Sequence, residues 1–201
     1  MNAALAKLGF PTHPVDAFRY FVGDGAETET RRSLPKNHLD DHTVKTCLTL
    51  MRDEYSRCWD ANTRPYSGIA ELLSALHDRN IPMAILSNKP DDFTQLNVRK
   101  LLAGWSFQTV RGVSPTTPKK PDPTAAMQIA KDFKVSPHEF LYLGDTNTDM
   151  QTANAAGMYP VGVLWGFRTA DELLACGAKA LIKTPLELLP ILDNGSANPK
   201  G

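Results

Sequence analysis

Cysteine is scarce: Cys47, Cys58 and Cys176 are the only three, and no two form a CxxC pair. An odd, scattered set of this kind reads as reduced thiols in a cytoplasmic protein. Charge of one sign is missing too, because 22 Lys and Arg balance 22 Asp and Glu. A chain that grips nucleic acid or an anionic membrane surface carries a basic excess or a localised basic block, and neither is present. Long hydrophobic runs are absent, since charges or prolines interrupt every apolar stretch before the ~18 residues that a membrane span needs. The opening segment MNAALAKLGFPTHP has Lys7 as its one charge and no apolar stretch of secretory-signal length. Glycine and proline, 13 and 15 residues, fall far below low-complexity levels, and no internal repeat suggests a solenoid. What remains is a composition with 42% hydrophobic and 22% charged residues, ordinary for a globular chain. Its 201 residues suffice for one sizeable core and a modest appendage.

The pattern changes near residue 65. Before it the signals are helical. Val44, Cys47, Leu48, Met51, Tyr55 and Cys58 recur at helix spacing, and shorter helices are expected over 1–8, 16–22 and 26–34. After it, amphipathic helices alternate with short apolar runs. Ser67 is a candidate N-cap for a helix carrying Ile69, Leu72, Leu73 and Leu76, and Asp91 and Asp122 are candidate caps for two more. The apolar runs are Ile81–Leu86, a weaker Phe107–Val110, Phe140–Leu143, Val161–Trp165 and Ala180–Ile182. Thr169 and Glu172 form a capping-box signature, Pro185–Leu192 closes the series, and Asn194–Gly201 reads as a frayed tail. Such alternation predicts an α/β fold with a parallel, Rossmann-like sheet covered by helices on both faces. Sheets of this kind carry their chemistry at the C-terminal ends of the strands.

Three segments stand at those ends. Gly144-Asp145-Thr146-Asn147-Thr148-Asp149 follows Phe140–Leu143, and its spacing lets two carboxylates converge on one point. A hard cation such as Mg²⁺ would relieve their repulsion, and the plainer alternative is helix capping by Asp145 with a solvated Asp149. Ser87-Asn88-Lys89-Pro90 offers a hydroxyl and backbone amides to a phosphate oxygen, or is simply a polar turn. Lys119-Lys120-Pro121-Asp122-Pro123 holds an ammonium in a stiff loop, where it suits phosphate or is a solvated basic pair.

In this order, a hydroxyl, a lysine before Pro-x-Pro and a Gly-Asp-x-x-x-Asp segment resemble the haloacid dehalogenase superfamily of phosphohydrolases. Val22-Gly23-Asp24-Gly25, Arg31-Arg32-Ser33-Leu34-Pro35 and Pro65-Tyr66-Ser67-Gly68-Ile69 look like the helical cap of its phosphoglycolate phosphatases and the return from cap to core. The resemblance runs from Asn2 to about Leu192. It implies a helical cap over residues 1–64, an α/β core over 65–201, and Mg²⁺-dependent hydrolysis of a small phosphorylated metabolite, most readily 2-phosphoglycolate. Under it, Ser87 and Asn88 bind the phosphoryl group, Lys120 neutralises charge, and Asp145 and Asp149 hold Mg²⁺. Gly23, Gly25 and Arg32 would meet the substrate from the cap. The five histidines show no persuasive ligand spacing, and Cys176 has no base beside it in sequence.

One part of the family pattern is not here. The superfamily's nucleophile and its acid–base partner lie in an Asp-x-Asp-Gly-Thr motif, and no two aspartates of this sequence stand two apart. The resemblance puts that motif shortly before the stretch starting at Asn2, on the central strand between Ile81–Leu86 and Phe140–Leu143. The expectation is therefore an internal Met1, a missing central strand and a nucleophile absent from this chain. A non-catalytic phosphate- or metal-binding protein, or a phosphatase for another small ester, are the alternatives.

Overall fold

The computed structural model describes residues 1–194, so the tail reading falls from residue 195 onward outside the described residues. The chain separates into two compact units, Met1–Arg64 and a second beginning at Pro65.

The first unit is helical: α1 (Asn2–Lys7), α2 (Phe18–Phe21), α3 (Ala26–Ser33) and α4 (Asp41–Cys58). The long helix α4 starts where Asp40, in an extended conformation, accepts the Thr43 N–H at 2.9 Å. Its stripe then buries Val44, Cys47 and Met51 against Ala4, Leu5 and Leu34. Leu5 is wholly buried, and sequestering one leucine side chain contributes about 1.5–3 kcal/mol. The helix expected over 16–22 breaks into a 3₁₀ turn at Val15–Ala17 and the single turn α2. Three aromatic rings hold this irregular segment: His13, Phe18 and Phe21 meet edge to face, with centroids 5.0–6.1 Å apart.

The second unit alternates as expected: α5 (Ile69–Asp78), β1 (Ala84–Pro90), α6 (Asp91–Leu101), β2 (Thr109–Val113), α7 (Thr124–Phe133), β3 (Leu141–Gly144), α8 (Asn147–Ala155), β4 (Tyr159–Val163), α9 (Ala170–Ala175), β5 (Ala180–Ile182) and α10 (Leu188–Asp193). Every strand pairing is parallel. The pairings make two sheets, β1-β2 and β3-β4-β5, so among the described residues no strand joins β1 to β3. That division falls where the family resemblance puts its central strand. Helices cover both faces. On β3, Leu141 and Leu143 pack into a core with Leu72, Leu76, Val161, Val163 and Ile182. Phe140 and Tyr142 point the other way, into Ala126, Ala130, Ala153 and Met158 of α7, α8 and the turn before β4. Leu86 of β1 joins this second cluster, so both sheets share one helical layer.

Several boundaries differ from expectation for local reasons. Gly68, at φ 84°, caps α5 in place of Ser67, because that turn takes a left-handed conformation. β1 starts at Ala84, since Pro82 has no N–H to give a ladder, and it runs on through Ser87. Asp91 turns its carboxylate to the Gly112 N–H of β2 at 2.7 Å, and Pro123 stands at the N-cap of α7 in place of Asp122, which accepts the Thr124 N–H at 2.8 Å from one position further out.

Candidate active site

The tips of β1 and β3 carry the expected residues, and Lys120 bridges them. Its ammonium lies 2.6 Å from Asp149 Oδ1 and donates to the Leu86 carbonyl at 3.2 Å. Both side chains are largely buried, at 12% and 7% exposure, so the pair is shielded from solvent screening. Burial alone pulls the lysine toward its neutral form. The Asp149 charge, the Tyr142 phenol and the Asp149 hydrogen bond outweigh it, and the pKa of Lys120 rises well above its usual 10.5. Lys120 is thereby favoured in its charged form.

Its backbone is held as firmly. Asn88 Oδ1 accepts the Lys120 N–H at 2.7 Å, and Asn88 Nδ2 donates to the Lys120 carbonyl at 3.0 Å. The side chain of Asn88 thus ties the strand end carrying Ser87 to the loop carrying Lys120, through a cis Lys120–Pro121 peptide. Ser87 Oγ accepts the Lys89 N–H at 3.0 Å, which leaves its own O–H as a donor for a ligand.

Asp149 is saturated. Its Oδ2 takes the N–H groups of Asp145 at 3.2 Å and Thr146 at 3.1 Å, plus the Thr146 hydroxyl at 2.7 Å. Thr146 returns the favour by accepting the Asp149 N–H, a capping box that starts α8. Gly144 makes room for this, because a methyl group there would sit 2.5 Å from Asp149 Cγ. The two expected cation ligands therefore have unlike surroundings. Asp149 organises the loop and holds Lys120. Asp145, half-buried, keeps one hydrogen bond to the Phe167 N–H at 3.0 Å. Burial, then the nearby Asp149 charge, raises its pKa, so Asp145 is the carboxylate that a cation would relieve.

Among the described residues no three His, Cys, Asp or Glu side chains gather as a ready-made metal cage. Asp145 alone, with Asp149 taken up by Lys120 and the loop, fits instead a hard cation such as Mg²⁺ that keeps most of its waters. The Tyr142 hydroxyl is buried with no hydrogen-bond partner among the described residues, and burial pushes the phenol up to about 12.

Gly23, Gly25 and Arg32 gather separately, in the first unit. Gly23 and Gly25 take φ values of 115° and 89° that side chains resist, shaping the turn into α3. Arg32 pairs with Asp24 at 2.6 Å and donates to the Phe21 carbonyl at 3.1 Å, so its guanidinium pins that turn onto α3. Sequence reading did not single out Gly166, Phe167 or the side-chain role of Asn88. Their partners lie 21 to 32 residues away, and no local spacing marks them.

Parallel strands whose tips bring a hydroxyl and two carboxylates together with a clamped lysine from the loop before α7 define an α/β protein with its polar cluster at the C-terminal ends of its strands. Residues 1–163 match the sequence model of the haloacid dehalogenase-like hydrolases, and the chain belongs to that family. A phosphoglycolate phosphatase of Pseudomonas putida is 31% identical over 203 residues, covering 99% of this chain and 73% of its own length. A solved structure from Lactobacillus delbrueckii subsp. bulgaricus, provisionally named a phosphoglycolate phosphatase, superposes with a TM-score of 0.88 at 25% identity. It covers 95% of this chain, and this chain covers 88% of it. A haloacid dehalogenase-like hydrolase of Streptococcus pneumoniae shares the fold at a TM-score of 0.82 and 23% identity, with coverages of 93% and 85%. Among the described residues no helix is long and apolar enough to cross a membrane.

Proposed function

We propose that this chain binds the phosphoryl group of a small phosphate monoester in a magnesium-dependent phosphatase. The names of its relatives favour 2-phosphoglycolate as substrate. The observation that carries the reading is the ammonium of Lys120, fixed between Asp149 and the tip of β1. A desolvated cation clamped at both main chain and side chain is preorganised to meet charge on phosphoryl oxygens. Ser87 adds a hydroxyl donor from β1, and the Asn88 clamp fixes the distance between the two. Asp145 would hold Mg²⁺, which when bound neutralises phosphate charge and orients the ester. Gly23, Gly25 and Arg32 shape the part of the cap proposed to meet the rest of the substrate.

A second reading has its own support: of the two carboxylates at the β3 tip, Asp149 is taken up by Lys120 and Asp145 is the one left to a cation. On that reading the chain binds phosphate and metal without turning over. Calorimetric titration with Mg²⁺ and inorganic phosphate, alongside phosphate release from 2-phosphoglycolate and other small esters, separates the two. Phosphate binding that requires Mg²⁺ and weakens at least tenfold in Lys120→Met is expected under both. Release from an ester by the chain, or by a variant with a strand ending in Asp-x-Asp-Gly-Thr joined ahead of Met1, establishes the phosphatase. Binding with no release from either establishes the binder. Absence of both binding and release would overturn both.

A further inference from the structure

The turn after β4, Leu164-Trp165-Gly166-Phe167-Arg168, carries none of the family's motif residues, yet it closes around Asp145. The Phe167 N–H donates to Asp145 Oδ2 at 3.0 Å, and the Arg168 N–H donates to the Asp145 carbonyl at 3.2 Å. Just before them in the chain, Gly166 lies directly against the aspartate. A methyl group on Gly166 would fall well inside contact distance of Asp145 Cβ and Oδ2, and 2.5 Å from Cγ. Gly166 is not among the glycines with positive φ, so its backbone suits any residue. The glycine is there for space.

We propose that Gly166 and the Phe167 N–H form a seat that sets the position of the Asp145 carboxylate, making this turn a fourth segment of the active site. The parallel with Gly144 is close: one glycine lets Asp149 lie over the end of β3, the other lets Asp145 lie against the end of β4. Each carboxylate has one oxygen anchored by backbone N–H groups, so its direction is fixed before any ligand arrives. Phe167 acts through its main chain. Its ring is partly exposed and is not needed for the seat. Gly166 is a positioning residue, acting on the ligand only through Asp145. In its metal-binding consequence the proposal rests on Asp145 being the Mg²⁺ carboxylate.

The steric relation gives a test independent of that reading. Because the conflict begins at Asp145 Cβ, Gly166→Ala should lower the melting temperature of the wild-type chain and of Asp145→Ala by a similar amount. It should have little effect in Asp145→Gly, where the obstructing carbon is gone. An equal loss in the Asp145→Gly background would overturn the seat. Magnesium titration of the folded single variants supplies the second readout. Gly166→Ala should weaken binding at least tenfold, while Leu174→Ala, at an exposed side chain of α9, should bind as the wild type does. A folded Gly166→Ala chain with undiminished Mg²⁺ affinity would also overturn the proposal. If the wild-type chain binds no Mg²⁺, the metal reading of Asp145 fails, and the melting-temperature comparison alone decides the seat.

Discussion

At the scale of single residues, the Lys120–Asp149 pair has the largest energetic leverage. Two charges buried together are near neutral in net stability, but removing one strands the other in a poorly solvated place. Lys120→Met should therefore cost about 3 kcal/mol near neutral pH, the lower end for breaking such a pair, read by urea unfolding. The pH dependence has a definite sign. The folded chain holds the lysine proton above its ordinary pKa of 10.5. Below that value both folded and unfolded lysines are charged, and the pair's contribution is fully present. Above it the unfolded chain loses the proton first, so the contribution falls as pH rises toward the folded pKa. The gap between wild type and Lys120→Met should stay constant from neutral pH to about 10 and shrink beyond it. A gap that instead widened with alkalinity would contradict the pairing. Much of this was legible in the order of the sequence signals, because Ser87, Lys120, Asp145 and Asp149 each follow an apolar run. Their division of labour was not. Spacing put Asp145 and Asp149 within reach of one cation, but only the fold reveals that Asp149 is already taken up by the lysine and the loop. Asn88 and Gly166 act on residues 32 and 21 positions away, a relation that no local pattern encodes.

At the scale of elements, boundaries follow hydrogen bonding more closely than they follow hydrophobic runs. Ile81–Leu86 is the apolar stretch, yet the strand is Ala84–Pro90, displaced by Pro82 toward the polar residues that function needs. Val161–Trp165 likewise shifts back to Tyr159–Val163, because Trp165 and Gly166 are drawn into the turn around Asp145. Helix α4 was the clearest element in the sequence through its long stripe, while its acidic cap, Asp40, emerges only in the fold. Asp40 holds both the Thr43 N–H and the Thr43 hydroxyl, and chiefly that backbone hydrogen bond keeps its carboxyl below the usual 3.8. Asp40→Ala should lower the melting temperature by a few degrees, the scale of a lost cap in a chain of this size. Its acid dependence also has a sign. The cap's contribution is present above 3.8 and disappears as pH falls through the depressed folded value. Asp40→Asn should keep most of the cap and remove that dependence, which thermal melts across the acid range will read.

At the scale of the whole molecule, the split between the two sheets is the feature with the widest consequences. β4 is paired on both sides, to β3 and β5, and Val161 is fully buried against the core of α5 and α10. Among the described residues β1 pairs with β2 alone. The Leu86 carbonyl accepts from Lys120, and the Leu86 side chain joins the helical layer over Tyr142. A strand with one ladder has half its backbone groups held by sheet partners, so it should open at lower free energy than one with two. Amide hydrogen exchange is expected to be slowest at Val161 and Val163 and markedly faster along Ala84–Leu86, even though both strands lie in the α/β unit. Mg²⁺ together with inorganic phosphate should narrow the difference, because a ligand at Ser87 and Lys120 stabilises the closed state of the β1 tip. If β1 exchanged as slowly as β4 in the unliganded chain, the two sheets would be acting as one cooperative body, and the division between them would carry no energetic weight.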